Sequence, residues 1–242
     1  MKKTTFNKAS IRALMESSLW FKDFPTSKIN QLILKSELRE YSKSEIIHND
    51  FKQNELIFLI SGSVWICQIH KGKNLKFGVM LPSSLIVLSE LLLKTHHDIP
   101  LFDFRAAEDC QALAIPTSVF VAVLENSPHQ WRVMTEAVIR YHRSCTSLVL
   151  GMYLGPITDR VISAIHHYCM STLNVAKTSE TIMIDLTQEA LAVIIKSSRQ
   201  HVNRALNALE QENLLKVGYK KIEITNPAEF SKIANSLMPL TF

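Results

Sequence analysis

Hydrophobic residues follow two different patterns in the first half of the chain. Residues 7–20 and 26–40 place an apolar side chain at every third or fourth position, which predicts two helices. Between about 41 and 120, short apolar runs such as 56–60 and 110–115 alternate with turn clusters such as 61–63. We therefore expect a helical lead followed by an antiparallel β-sandwich or barrel. The second half has mostly helical spacing and one late hairpin.

Residues 129–153 carry the most regular pattern. Seven positions recur at alternating intervals of three and four and define a predicted seam: Trp131, Met134, Val138, Tyr141, Cys145, Leu148 and Met152. A seam this narrow is typical of a coiled coil, because a helix that packs on its own domain usually needs a broader apolar stripe. We expect a parallel dimer helix, with packing inside one chain as the alternative. Gly151, Gly155 and Pro156 predict its end and a hinge.

Composition excludes several classes of protein. With 242 residues, 47% of them hydrophobic, and only 6 glycines, the chain is neither collagen-like nor disordered. Its 4 cysteines form no Cys-x-x-Cys pair, which argues against a disulfide framework, a zinc site or an iron–sulfur cluster. No apolar run spans a membrane and no apolar segment follows the N-terminus, so we expect a soluble, cytoplasmic protein without a membrane partner.

Residues 184–224 predict a helix-turn-helix followed by a hairpin. Thr187 and Ser198 can each cap a helix, and Lys196-Ser197 makes the turn between the two helices. The second helix buries Val202, Ala205, Leu206 and Leu209. Its outward face then consists of Arg199, Gln200, His201, Asn203 and Arg204. Beyond it, residues 214–224 predict a two-stranded wing.

The side chains of this segment suit double-stranded DNA. Arginine can donate two hydrogen bonds to guanine and glutamine can pair with adenine in the major groove, while Lys220 and Lys221 could lie against phosphates. The net charge of +5 and the pI near 9.0 add little support for DNA binding. The segment expected to bind DNA is nearly neutral, because residues 156–242 hold 9 basic and 8 acidic residues. The useful signal is local, since residues 196–209 contain no acid. A solvated amphipathic helix with no partner is the alternative.

The segment resembles the DNA-binding domain of the Crp/Fnr family of bacterial transcription regulators. Residues 187–189, 198–204 and 209–215 follow the family pattern, residues 45–47 and 58–64 are similar to the start of its β-roll, and the long helix matches its dimer helix. The resemblance implies that Arg199, Gln200 and Arg204 contact bases and that Ser198 and His201 contact phosphates. It makes RNA polymerase a further candidate partner.

Several departures from the family pattern concern the effector. Lys196 stands where the turn usually has glycine. Gln200 replaces a commoner glutamate, so the base sequence of the DNA half-site is not determined. Ser89 replaces a glycine of the phosphate cassette, whose backbone amides cradle a cyclic phosphate, and the cassette's arginine near residue 100 is absent. We therefore predict that cyclic AMP is not bound. Residues 98–100 and the helix predicted after them are similar to an enterobacterial subgroup tied to hydrogen peroxide resistance.

The sequence thus predicts an α+β protein with a cyclic-nucleotide-binding-like β-roll at 1–128, a dimerisation helix and hinge at 129–155, and a winged helix-turn-helix at 156–242. We expect a homodimeric transcription regulator that binds a pseudo-palindromic site. The alternative is a β-roll sensor or interaction protein with a vestigial DNA-binding domain. No catalytic motif is present, so no enzyme is expected. The effector is unknown, a haem-ligating histidine stays an alternative and no metal is expected. We expect Cys145 to be a small apolar residue of the seam, with an oxidative crosslink between two helices as the alternative.

Overall fold

A computed structural model describes residues 7–48, 54–70, 73–86, 102–172 and 181–237. The chain divides into two compact units, one of residues 1–76 with 80–138 and one of residues 77–79 with 139–242. The helices described are α1 (Lys8–Ser17), α2 (Thr26–Leu34), α3 (Thr117–Glu125), α4 (Pro128–Leu154), α5 (Ile157–Thr172), α6 (Gln188–Ile194), α7 (Arg199–Gln211) and α8 (Pro227–Ser236). The strands are β1 (Glu37–Tyr41), β2 (Ile46–His48), β3 (Glu55–Ser61), β4 (Val64–His70), β5 (Lys73–Met80), β6 (Leu85–Ile86), β7 (Asp103–Ala106), β8 (Cys110–Pro116), β9 (Ile182–Ile184), β10 (Leu215–Gly218) and β11 (Lys221–Ile224).

The first unit contains two four-stranded sheets, with strand orders β1-β8-β3-β6 and β2-β7-β4-β5. Their apolar faces share one core, because alternate residues of a strand point to the same side of the sheet. Ile57 and Leu59 of β3 meet Val64 of β4 and Ala106 of β7 in this core. The antiparallel sandwich or barrel predicted from the short apolar runs is confirmed, and so are the β-roll implied by the resemblance and the α+β class.

The other face of the first sheet is covered by α2, α3 and the turn between α1 and α2. Leu56, Phe58 and Ile60 of β3 are at most 2% exposed, and the rings of Phe21 and Phe58 lie 5.7 Å apart in an edge-to-face contact. Phe21 also meets Phe120 of α3, with ring centroids 6.3 Å apart. Both faces of β3 are therefore buried, which explains why its sequence is continuously apolar rather than alternating.

The second predicted helix is shorter than its apolar spacing suggested. It ends at Leu34, and residues 37–41 form β1, which pairs antiparallel with β8 so that Leu38 lies opposite Leu113. Leu38 is 39% exposed and does not join the buried face formed by Ile29 and Leu32. Backbone pairing with β8 therefore decided the conformation of a segment whose side chains also fit a helix.

In the second unit, α7 packs on α5 and α6, and β9 joins the hairpin of β10 and β11 in a sheet of order β10-β11-β9. The core of this unit includes Val161 and Ile165 of α5, Leu206 of α7 and Phe230 of α8, all at most 2% exposed. Sequence reasoning missed β9, because three residues are too few to show a strand period.

The long helix α4 runs without interruption from Pro128 to Leu154, which confirms the predicted element. Gly151 lies inside it rather than in a hinge. A Cβ atom built on Gly151 would come within 2.7 Å of Cβ of Ser163 on α5, so this glycine allows the close approach of two helices. The division between the compact units falls within α4, after Val138. The boundaries expected at 128 and 155 stay predictions.

Candidate DNA-binding surface

Two capped helices form the predicted motif. The Thr187 hydroxyl accepts a hydrogen bond from the Ala190 amide at 3.0 Å and starts α6, and the Ser198 hydroxyl accepts one from the His201 amide at 3.2 Å and starts α7. Each side chain satisfies an amide that has no partner within its own helix. The expected N-caps of both helices are therefore present, with the geometry that the sequence predicted.

The turn between the helices depends on Lys196. Its φ is 52°, in the left-handed region that favours glycine, and its amide donates to the Val193 carbonyl at 3.4 Å. The Ser197 amide donates to the Ala192 carbonyl at 3.0 Å and closes α6. Lysine thus adopts the backbone conformation that the turn requires, at a cost of about 1–2 kcal/mol relative to glycine.

Helix α7 has one buried and one exposed face. Val202, Ala205, Leu206 and Leu209 are at most 5% exposed and fix the helix against its unit. Its exposed residues include all five that were expected to face outward, namely Arg199, Gln200, His201, Asn203 and Arg204. No acidic side chain precedes Glu210 on this helix, so the N-terminal half of the exposed face carries positive charge and neutral donors.

The base-contacting and phosphate-contacting assignments stay predictions, but the structure adds local partners. Nε of Arg199 donates to Oε1 of Gln188 at 3.4 Å, a long hydrogen bond that points the guanidinium toward the start of α6. Ser198 uses an oxygen lone pair as a cap, and its hydroxyl proton can still be donated to a phosphate. Sequence reasoning missed Gln188 as a positioning residue, although glutamine after an N-cap was a visible signal.

The hairpin of β10 and β11 matches the predicted wing. Val217 lies opposite Ile222 across it, and the amide of Val217 donates to Oε1 of Glu210 at 3.1 Å, which ties the wing to α7. Tyr219 at its tip is 90% exposed and Lys220 has a φ of 58°. Lys221 lies 3.8 Å from Oδ1 of Asp185, an exposed ion pair that phosphate would have to replace.

Most residues of the predicted seam of α4 are at least half-buried within the chain. Trp131 is 37% exposed, but Met134 is 1% exposed, and the remaining five residues are half-buried: Val138, Tyr141, Cys145, Leu148 and Met152. Met134 is therefore buried within its own chain, and the assignment of these seven residues to an intermolecular seam stays a prediction. The outward row contains Ile139, Val149 and Tyr153, which are 53%, 45% and 80% exposed.

The cysteines show no sign of a reactive site. Burial raises the pKa of Cys145, even though a hydrogen bond with Tyr141 opposes the shift. Burial likewise raises the pKa of Cys110 to about 11. Within the described ranges, no group of three His, Cys, Asp or Glu side chains could hold a metal ion. The cassette expected around Ser89 and the 98–100 segment lie outside the described residues.

Comparison with known proteins finds a similarity within the C-terminal unit. Residues 159–233 match the family model of the Crp-like helix-turn-helix domain. Among solved structures, a protein from Ruegeria pomeroyi, provisionally described as cyclic-nucleotide-binding, has a TM-score of 0.64 at 16% identity and covers 95% of this chain and 99% of its own. FixK2 from Bradyrhizobium japonicum has a TM-score of 0.60 at 16% identity, covering 82% of this chain and 96% of that one.

A variant of CooA from Carboxydothermus hydrogenoformans has a TM-score of 0.55 at 16% identity and covers 84% of this chain and 89% of its own. At these identities the solved structures show a shared fold. No curated protein sequence matches the chain significantly. In the part of the chain that the structure describes, no helix is long and apolar enough to cross a membrane.

Proposed function

We propose that this chain, which carries a Crp-like helix-turn-helix domain within the fold of the Crp/Fnr transcription regulators, binds a pseudo-palindromic DNA site as a homodimer. The observation that carries the proposal is the exposed, acid-free first half of α7, fixed by four buried apolar residues and an N-cap. A helix held in this way can enter the major groove with its N-terminal side chains against base edges. Arg199, Gln200 and Arg204 are the base-contacting residues of this proposal.

The intact turn favours this function over a vestigial DNA-binding domain. Lys196 adopts the left-handed conformation that the turn requires, and both caps are formed, so replacement of the usual glycine leaves the geometry of the motif intact. The wing is also tied to α7 by Glu210. Each local feature that positions the recognition helix is therefore in place.

A DNA-binding experiment tests the proposal in two stages. Genomic fragments are first selected with the purified full chain, and mobility shifts are then measured on a selected duplex and on a scrambled one. Arg199→Ala and Arg204→Ala should each weaken binding to the selected site by about 5- to 150-fold, the equivalent of about 1–3 kcal/mol. Asn207→Ala, an exposed residue further along α7, is the matched control and should bind as wild type does.

The wing lysines should behave differently. Lys220→Ala and Lys221→Ala remove phosphate contacts, so they should weaken binding to both duplexes to the same extent and reduce its salt dependence. If Arg199→Ala bound the selected site as tightly as wild type, the assignment of α7 as the recognition helix would be refuted.

We place the dimer contact of α4 on its outward row rather than on the predicted seam. Ile139, His142, Thr146, Val149 and Tyr153 are exposed and recur at intervals of three, four, three and four, the spacing of a coiled-coil face. Ile139→Lys with Val149→Lys should therefore give a monomer in sedimentation analysis. Leu34→Lys, at a residue that is 66% exposed on α2, is the control and should leave a dimer.

The proposed regulator does not depend on cyclic AMP. This part of the proposal rests on the resemblance, because Ser89 replaces the cassette glycine and no arginine stands near residue 100. Titration calorimetry should give no saturable heat with cyclic AMP at micromolar concentrations. Saturable binding in that range would refute it.

A further inference from the structure

The outer face of the second sheet of the β-roll carries an unusual set of side chains. Val64 and Ala106 belong to the core between the sheets, and Ile66 and Phe104 pack against it. Because neighbouring residues of a strand point to opposite faces, Trp65, Cys67, Asp103 and Arg105 lie on the outer side. Strand pairing places Trp65 opposite Arg105 and Cys67 opposite Asp103.

Three cations converge on this face from distant parts of the sequence. Nζ of Lys76, on β5, lies 4.1 Å from the centroid of the Trp65 ring, in a cation–π contact. Arg105 lies on β7, and Lys43 comes from the turn between β1 and β2, where the Ser44 amide donates to the Ala106 carbonyl at 2.8 Å. Together these residues line a surface cavity of about 270 Å³.

Two carboxylates bind groups at this cavity. Nη2 of Arg105 donates to Oδ2 of Asp103 at 2.7 Å, and the carboxylate of Asp109 accepts the backbone amide of Lys43 at 3.0 Å. Both carboxylates are therefore already engaged, Asp103 by a side chain and Asp109 by the backbone. Ala106, Ala107 and the buried Cys67 also line the cavity, and burial raises the pKa of the Cys67 thiol.

One donor in the cavity lacks an acceptor. Nε of Arg105 is buried and has no hydrogen-bond partner among the described residues. A buried donor without a partner costs about 1–3 kcal/mol, more for a charged group, so such atoms are rare unless a ligand or water supplies the acceptor. The guanidinium can therefore donate a hydrogen bond to a further anionic oxygen without giving up its pair with Asp103.

We propose that this cavity binds a small organic dianion, either a phosphate monoester or a dicarboxylate. Both compounds offer several anionic oxygens, which Nε of Arg105 and the ammonium groups of Lys43 and Lys76 can bind, while Trp65 provides a flat apolar wall. The volume equals that of about nine liquid water molecules, which limits the ligand to about a dozen non-hydrogen atoms. The site lies outside the roll interior and is independent of the proposed DNA surface.

Tryptophan fluorescence of the full chain tests this proposal directly, because Lys76 stacks on Trp65. The probes are phosphoglycolate, malonate and inorganic phosphate, each titrated at constant ionic strength. Phosphoglycolate or malonate should change the emission saturably with a Kd below about 1 mM. Comparing the two probes separates a phosphate ester from a dicarboxylate as the ligand class.

Variants place the binding in the cavity. Lys43→Met and Lys76→Met remove exposed cations and keep the side-chain stems, so both proteins should fold and bind at least about tenfold more weakly. Lys35→Met, at an exposed lysine after α2, is the matched control and should bind as wild type does. Trp65→Phe should lose the optical signal but retain the binding heat in calorimetry.

Two results would overturn the proposal. One is the absence of a saturable signal with phosphoglycolate and malonate up to about 10 mM. The other is an affinity that stays equal in wild type, Lys43→Met and Lys76→Met, since the ligand would then bind elsewhere. Neither result depends on whether the protein binds DNA.

Discussion

Replacing the buried imidazole of His167 by glutamine should flatten the pH dependence of stability. His167 lies on α5 and is 6% exposed, and its Nδ1 is 2.8 Å from Oγ of Ser144 on α4. The rings of Tyr141 and Tyr168 lie 6.0 and 5.0 Å from it. Burial lowers the pKa of His167 to about 4; a hydrogen bond with Ser144 opposes this shift, and the neighbouring His166 adds to it.

The magnitude follows from the difference between the folded and unfolded chains. An unfolded histidine binds a proton below pH 6.5, but the folded protein does not bind one at His167 until the pH approaches about 4. The contribution of the neutral His167 to the free energy of unfolding is therefore fully present above pH 6.5 and is lost as the pH falls toward 4. At 1.36 kcal/mol per pKa unit, the free energy of unfolding falls by about 2 kcal/mol between pH 7.5 and 5, and by about 3 kcal/mol in total.

Urea unfolding of wild type and His167→Gln at pH 7.5 and pH 5 measures this difference. Glutamine does not titrate and can still pair with Ser144, so the variant should lose about 2 kcal/mol less than wild type on acidification. His129→Gln, at an exposed histidine near the start of α4, is the control and should follow wild type. Equal losses in wild type and His167→Gln would refute the argument that burial keeps this imidazole neutral.

Three further predictions concern the backbone and the core, each measured as the free energy of unfolding. Gly62→Ala should destabilise the protein by at least about 2 kcal/mol, because φ is 82° and a Cβ atom would lie 2.6 Å from the Asp109 carbonyl; an unchanged value would contradict this. Leu206→Ala, at a fully buried residue of α7, should cost about 2–5 kcal/mol, whereas a cost below 1 kcal/mol would mean that the helix is not anchored there. Lys196→Gly should add about 1 kcal/mol by relieving the left-handed strain, and a loss would count against it.

The helix-turn-helix was predictable because local rules alone specify it. Thr187 and Ser198 cap the two helices, and the apolar spacing of α7 selects the buried face within thirteen residues. The wing also follows from local pattern, since Leu215, Ile222 and Ile224 alternate with polar residues. These features need no information about distant contacts, and the structure confirms them.

The face of α4 could not be assigned in the same way. A heptad pattern shows that one row of side chains is apolar, but it does not say whether that row meets the same chain or another. Met134 is buried in its own chain, while Ile139 and Tyr153 on a different row remain exposed. The helix carries apolar residues on both sides, and only the packing of the folded chain decided which side is buried within the chain and which stays exposed.

The sequence by itself determined the α+β class, the long helix α4 and the exposed cationic face of α7, because helix capping and side-chain periodicity act within a few residues. Tertiary structure decided which segment became β1, which row of α4 faces outward, and the meeting of Lys43, Trp65, Lys76 and Arg105 in one cavity. These outcomes depend on strand pairing and packing between residues far apart in the chain. No local pattern records such contacts.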